Sequence, residues 1–412
     1  MRRRVVITGM GGMSAIGGNC DEMWQNARAG VCGIAPITQY DTTGLKVTLA
    51  GEVKGFDPEA IFGKKESRKM ARFTQFAVAA AREAFQQSGL DMTKEDAARC
   101  GVEISSGIGG LDIIEREHDR GLARGFDRVS PNFIPLAISN LAAGMTAIDL
   151  GFHGGCTCVV SACASSTNAV GEAFRQIRDG YQDVIAAGGT EACITDLGVG
   201  GFTSMRALTT ATDPDRASIP FDKERSGFVM GEGAGVLILE ERNHAIERGA
   251  TIIAEVVGYG VTCDAYHMTA PLEDGSEAAR SMEEAIRDAR IQPEEIGYIN
   301  AHGTSTQMND RCETAAVKKC FGSHAQELVM SSTKSMTGHL LGASGAVEAM
   351  LTALALKNQI APPTANYREP DPDCDLNICP NEAQAIQTEY AMSNSFGFGG
   401  HNASIILKKS EV

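Results

Sequence analysis

The feature that most constrains the fold is a pattern that occurs twice. "GCTCVVSACAS" (155–165) leads into the helix-forming run "NAVGEAFRQIRDG" (168–180), and "ELVMSSTKS" (327–335) leads through another small-residue loop into "SGAVEAMLTALALKN" (344–358). Apolar runs that read as buried strands surround both: "DVIAAGGTEA" (183–192) and "GAGVLILEE" (233–241) in the first part, "IIAEVVGYG" (252–260) and "IGYINAHGTS" (296–305) in the second. The short helix "RNHAIERG" (242–249), ended by Gly249, closes the first part. The pattern predicts an α/β chain of two related halves, residues 1–250 and 251–412.

With 412 residues and 43% hydrophobic content the chain can bury a large core, and its 46 glycines allow elements to pack closely. A net charge of -15 argues against nucleic acid or an anionic membrane as partner, since both need a basic footprint. The apolar run at the start is cut by Gly9, Gly11 and Gly12, so it does not read as a secretory signal. No run approaches the roughly 18 apolar residues that cross a bilayer. The 12 irregularly spaced cysteines read as reduced thiols, and a soluble cytoplasmic protein is expected.

"RRVVITGMGG" (3–12) reads as a buried strand running into a glycine loop; Ser14 stands where a dinucleotide fingerprint needs its third glycine. Residues 64–86 read as one amphipathic helix, with Met70, Phe73, Ala77, Ala80 and Ala84 inward and Lys64, Lys65, Arg68, Lys69 and Arg72 on the opposite stripe. That stripe fits a solvated face and an acidic partner equally well.

Cys163, in "VVSACASSTN" (159–168), sits where a strand should end and a helix begin. A helix N-terminus there favours a thiolate, although a cysteine among small residues also fits a core. The second half decides between them. His302 in "NAHGTSTQMND" (300–310), and Lys334 and His339 in "TKSMTGHLLGASG" (333–345), are ionisable groups at strand ends, where α/β active sites lie. His118, His244 and His324 read as surface residues. "HGGCTC" (153–158) and "CDLNIC" (374–379) lack the partners of a metal site, and no metal is expected.

"SACASS", "NAHGTSTQMND", "SSTKSMTGHLLGASGAVEA" (331–349) and the terminal "NSFGFGGHN" (394–402) together resemble the β-ketoacyl-acyl carrier protein synthases, in particular the elongating synthases II of bacterial type II fatty-acid synthesis. The resemblance spans the chain. It implies a thiolase-like fold of five αβαβα layers, a homodimer, and decarboxylative Claisen condensation of an acyl-enzyme with malonyl-acyl carrier protein, without a cofactor beyond the carrier's phosphopantetheine.

By the same resemblance Cys163 is the nucleophile, activated by its helix terminus, and the amides of Cys163 and Phe398 form the oxyanion hole. His302 and His339 would stabilise the enolate as neutral donors, each worth on the order of 3 kcal/mol. Lys334 would be anchored by Glu348, while Thr304 and Thr306 would bind the pantetheine arm. Asp310 and Glu313 fit a supporting role and equally a helix-start pattern. Ile108, Phe133 and Phe202, with Phe398, match acyl-pocket or gate positions, although the first three also suit a core. Lys65, Arg68, Lys69 and Arg206 match the region that docks the acidic carrier.

Ser161, Met13 and His401 depart from the family's commoner residues without touching the reacting centre. A thiolase would carry a second reactive cysteine near "GFGGHN", and an initiating synthase would pair one histidine with an asparagine; the two-histidine set disfavours both. A polyketide ketosynthase shares the chemistry. A chain-length-factor-like subunit would lack the nucleophile, and a cysteine hydrolase would not explain Lys334.

Overall fold

The computed structural model describes residues 2–411. The first half contributes strands β1 (Val5–Met13), β2 (Cys100–Ser105), β3 (Cys156–Thr157), β4 (Val184–Glu191) and β5 (Gly233–Glu241). The second contributes β6 (Ala254–Cys263), β7 (Ile296–Asn300), β8 (Val329–Ser331), β9 (Tyr390–Gly397) and β10 (His401–Lys409). Their spatial order is β3-β2-β4-β5-β1 and, continuing, β6-β10-β9-β7-β8. Numbered within each half, both orders read 3-2-4-5-1, with the same pairings parallel and the same antiparallel. The halves join where Val5–Ile7 pairs antiparallel with Ala254–Val256.

The principal core helices also correspond. They are α1 (Arg72–Ser88), α2 (Leu141–Leu150) and α3 (Ser165–Arg178) in the first half, and α4 (Ser276–Ala289), α5 (Gln307–Phe321) and α6 (Ser344–Asn358) in the second. Helices α3 and α6 pack on each other and reach strands of both halves; α1 with α2, and α4 with α5, form the outer faces. The result is the expected five-layer αβαβα thiolase-like architecture. Because both sheet faces are covered, β1, β4 and β5 are buried at every residue and read as continuous apolar or small runs. Helix α6, buried from Ser344 to Leu356, is apolar all round for the same reason.

The glycines of "GMGG" lie within β1, not in a loop after it. A Cβ on Gly9 or Gly11 would overlap the carbonyl oxygens of Ala84 or Ala80, so these glycines let α1 lie directly on the strand. Gly258 and Gly260 of β6 stand in the same relation to Ala285 and Ser281 of α4. The device is repeated with the fold.

The basic stripe is not one helix. A single turn, Lys64–Ser67, is followed by a bend, and α1 begins only at Arg72. Gln75 Nε2 donates to the Ser67 and Met70 carbonyls and closes the bend. Arg72 leaves the solvent stripe, because its guanidinium forks onto buried Glu232 at 2.6 and 2.9 Å and stacks over Phe76. Lys64, Lys65, Arg68 and Lys69 remain exposed. Among the described residues, no helix is long and apolar enough to cross a membrane.

Candidate active site

The chain leaves β3, turns through Ala162–Ala164 and enters α3, placing Cys163 at the junction. Ala162 has φ 51°, a left-handed conformation that costs a non-glycine residue on the order of 1–3 kcal/mol. Ser165 holds it: its hydroxyl accepts from Ser161 N at 2.9 Å and donates to the Ala162 carbonyl at 2.6 Å. Asn168 Nδ2 donates to Ser161 Oγ from one turn further on. Small and hydroxylated neighbours are thus what a sharp strand-to-helix turn needs.

Burial pushes the Cys163 thiol up to about 11; the Lys334 charge and the backbone N–H groups of Phe398 and of Cys163 itself pull the other way. Burial thus acts on this thiol against the lowering expected from a helix end. The two N–H groups that approach it are the pair expected to hold an oxyanion.

His302 follows β7, and its loop is held from behind by Glu313, which accepts from His302 N at 2.9 Å and from Gly303 N at 2.8 Å. Burial pushes the Glu313 carboxyl up to about 7, while those two N–H groups pull it down. His339 follows the turn Lys334–Thr337; its amide donates to the Val229 carbonyl at 2.7 Å, and its Nδ1 shares a 2.9 Å hydrogen bond with Ser344 Oγ. The rings of His302 and His339 meet edge to face with centroids 5.3 Å apart. Burial, then the charge of Lys334, holds both histidines well below the usual imidazole range, so both are neutral at physiological pH. Lys334, itself buried, is ion-paired with Glu348 of α6.

Cys163, His302 and His339 face one cavity of about 390 Å³, walled also by Phe202, Phe398 and Leu341. Thr304 and Thr306, their hydroxyls 3.0 Å apart, line it, as does Arg206. The other expected residues lie elsewhere. Ile108 packs behind the wall, in the apolar cluster around Cys163, Leu341 and Phe228. Phe133 belongs to a separate cluster because its short helix, Phe133–Ala137, packs on the helix Leu111–Arg124. Lys65, Arg68 and Lys69 do not line the cavity.

Asp310 and Glu313 do not cap α5. Thr306 holds the cap position, buried Asp310 accepts from Phe221 N, with Arg225 at 3.5 Å, and Glu313 serves the His302 loop. Nor are all three outlying histidines on the surface: His118 is, but His324 is largely covered and His244 is partly buried between Glu240 and Glu95, which raise it to about 9.

Several participants had no local signal. The loop between β6 and α4 brings Thr269, Ala270 and Pro271 to the cavity, and Asp264 accepts from Asn402 Nδ2 at 2.6 Å. The Asn300 amide, the Ser393 hydroxyl and one Glu348 oxygen are buried without hydrogen-bond partners. Asn300 and Ser393 are register partners across β7 and β9, a juxtaposition that only the sheet creates.

Comparison with known proteins accords with this geometry. Residues 2–245 match the family model described as beta-ketoacyl synthase, N-terminal domain, and residues 253–368 match its C-terminal domain. The chain belongs to the β-ketoacyl synthase family. It is 51% identical over 410 residues to the 3-oxoacyl-[acyl-carrier-protein] synthase 2 of Staphylococcus aureus (strain COL), covering 100% of this chain and 99% of that protein. It is 48% identical over 409 residues to the synthase of the same name from Synechocystis, covering 99% and 98%. Among solved structures, a type II polyketide ketosynthase bound to its acyl-carrier protein matches with TM-score 0.93 at 34% identity over 100% of both chains. A β-ketoacyl synthase from Burkholderia phymatum matches with TM-score 0.90 at 37% identity over 99% and 100%.

Proposed function

We propose that this β-ketoacyl synthase elongates fatty acyl chains, condensing an acyl group held on Cys163 with malonyl-acyl carrier protein to give β-ketoacyl-acyl carrier protein and CO2. The observation that carries the reading is one cavity holding a thiol between two backbone donors and two neutral histidines, with a buried ammonium–carboxylate pair behind them.

In the first half-reaction Cys163 sulfur attacks the acyl thioester carbonyl. Its proton leaves with the pantetheine thiol, and the N–H groups of Cys163 and Phe398 hold the oxyanion until the carrier departs. In the second, the malonyl C–C bond breaks and CO2 leaves. The electron pair is held as an enolate whose oxygen accepts hydrogen bonds from neutral His302 and His339. The enolate carbon then attacks the acyl carbonyl and releases the Cys163 sulfur as a thiolate, which takes a proton from solvent to restore the thiol. Neutral imidazoles suit this step because they stabilise the developing charge without being quenched by it. Burial chiefly keeps both imidazoles neutral, the Lys334 charge adds to it, and Lys334, anchored by Glu348, polarises the site. Loss of CO2 supplies the carbanion, so the scheme needs neither metal nor cofactor, only the carrier's phosphopantetheine.

Thr304 and Thr306 would bind the pantetheine arm at the cavity wall, and Phe202 with Phe398 would gate the acyl chain toward Ile108. The carrier would dock through Arg206 beside the cavity and through exposed Lys65, Arg68 and Lys69. A homodimer is supported by the edge strand β3, with exposed Cys156 and Thr157, and by exposed Phe126, Ile134, Ile138 and Ile148. The 12 free thiols suit a reducing cytoplasm.

Polyketide ketosynthases share the fold, but the 51% identity to synthases named for 3-oxoacyl-carrier chemistry favours fatty-acid elongation. Purified protein incubated with malonyl-carrier and a ladder of acyl-carriers tests the reading by mass. A chain two carbons longer and an acyl adduct on Cys163 are expected; absence of both sinks it.

A further inference from the structure

Glu191, the last residue of β4, is fully buried and has no part in the steps above. Its Oε1 accepts from Ser106 Oγ at 2.8 Å and Ile108 N at 3.2 Å; its Oε2 accepts from Gly107 N at 2.8 Å and Gly342 N at 3.0 Å. The Cys193 thiol donates to Oε1 at 3.4 Å. A buried carboxylate without donors would be costly, and here it is met by five.

Those donors come from both halves. Ser106, Gly107 and Ile108 form the loop after β2, while Gly342 lies in the turn three residues after His339. The two segments touch, for a Cβ on Gly342 would overlap Gly107 N and one on Gly107 would come 2.8 Å from Glu191 Oε2. Next to Gly107 is Ile108, and next to Gly342 is Leu341, and these side chains share the apolar cluster of Cys163, Cys193 and Phe202. An apolar residue in place of Glu191 could fill the volume, but it could not fix both backbones at hydrogen-bonding distance from one point.

We propose that Glu191 is a positioning residue for acyl-chain selection: by clamping the Ile108 loop against the Leu341–Gly342 turn it sets the wall that decides which chain lengths fit beside Cys163. This rests on the condensing reading and on the acyl chain reaching the apolar cluster in which Ile108 packs behind the cavity wall. His339 has its own anchors in Val229 and Ser344, so the decarboxylating side is not held through Glu191.

Glu191→Gln keeps the shape but sets an amide NH2 against one pair of donors, which must draw apart. With purified variant and a ladder of acyl-carriers, the ratio of best to worst kcat/KM for Cys163 acylation should fall about tenfold. CO2 release from malonyl-carrier alone should stay within about threefold of the parent. Ser106→Ala, which removes one donor and leaves the backbone donors, should flatten the profile in the same direction by less, and it decides the matter if Glu191→Gln does not fold. An unchanged or sharper profile, or equal loss in both half-reactions, overturns the role of Glu191. A parent protein that forms no acyl-Cys163 contradicts the condensing reading itself and takes this inference with it.

Discussion

The turn Ala162–Ala164 and the turn Leu341–Ala343 occupy the same place in the two halves, each feeding a central helix that starts on a serine, Ser165 or Ser344. Each opens on a non-glycine residue in the left-handed region, Ala162 at φ 51° and Leu341 at φ 48°. The next residue differs. In the first half it is Cys163, whose sulfur faces the cavity; in the second it is Gly342, whose bare Cα lies against Gly107 and whose amide serves Glu191. The same left-handed turn thus occurs twice and presents a thiol once. The second half contributes instead Lys334 and His339, which precede its turn, and His302, which comes directly after β7 and Ala301. One site results, with the thiol from one half and the neutral histidines from the other.

The division should be plainest in pH dependence. Because the Cys163 pKa is pushed up to about 11, alkylation by iodoacetamide should climb roughly tenfold per pH unit between 7 and 9, following the thiolate fraction. Because His302 and His339 are held well below 6.5, they stay neutral as pH falls to 6, and CO2 release from malonyl-carrier should be flat from pH 6 to 8 in a Glu313→Gln variant, which removes the carboxyl behind the His302 loop that burial pushes up to about 7. A plateau in alkylation near pH 7, or an acid limb near 6.5 in decarboxylation, would break the contrast.

Gly342→Ala tests whether the second turn is purely structural. The added methyl must push Gly107 away, and about 1–3 kcal/mol of stability should be lost, read from denaturant unfolding. A neutral outcome would mean that the two segments are not in contact. The smallest effect concerns the surface: Lys65→Glu with Lys69→Glu should raise KM for carrier-bound substrates a few-fold at low salt and leave kcat nearly unchanged. Identical kinetics in parent and variant would remove these lysines from docking.

Elements with strong local patterning were legible in the sequence. Strand β5 and helix α6 have the bounds read from their apolar runs, since continuous burial writes itself along the chain. The set Cys163, His302, Lys334 and His339 was legible as motifs, and the fold brings its cysteine and histidines to one cavity. What escaped depends on distant partners. Gly9 and Gly11 looked like a loop because the helix they accommodate is some seventy residues away, and Arg72 looked solvated because Glu232 is 160 residues off. Burial acts on the Cys163 thiol as well, and the helix-end argument did not contain it. Glu191 ends a strand that the apolar run made legible, but its role exists only once Gly107 and Gly342 meet.

The most direct test separates the half-reactions by variant. Cys163→Ala should release CO2 from malonyl-carrier while forming no acyl adduct and no ketoacyl product. His302→Ala with His339→Ala should still take an acyl group onto Cys163 but lose CO2 release by about 10²-fold or more. If the double histidine variant cannot be acylated, or if Cys163→Ala cannot decarboxylate, the thiol and the imidazoles do not divide the work as the two halves divide the residues.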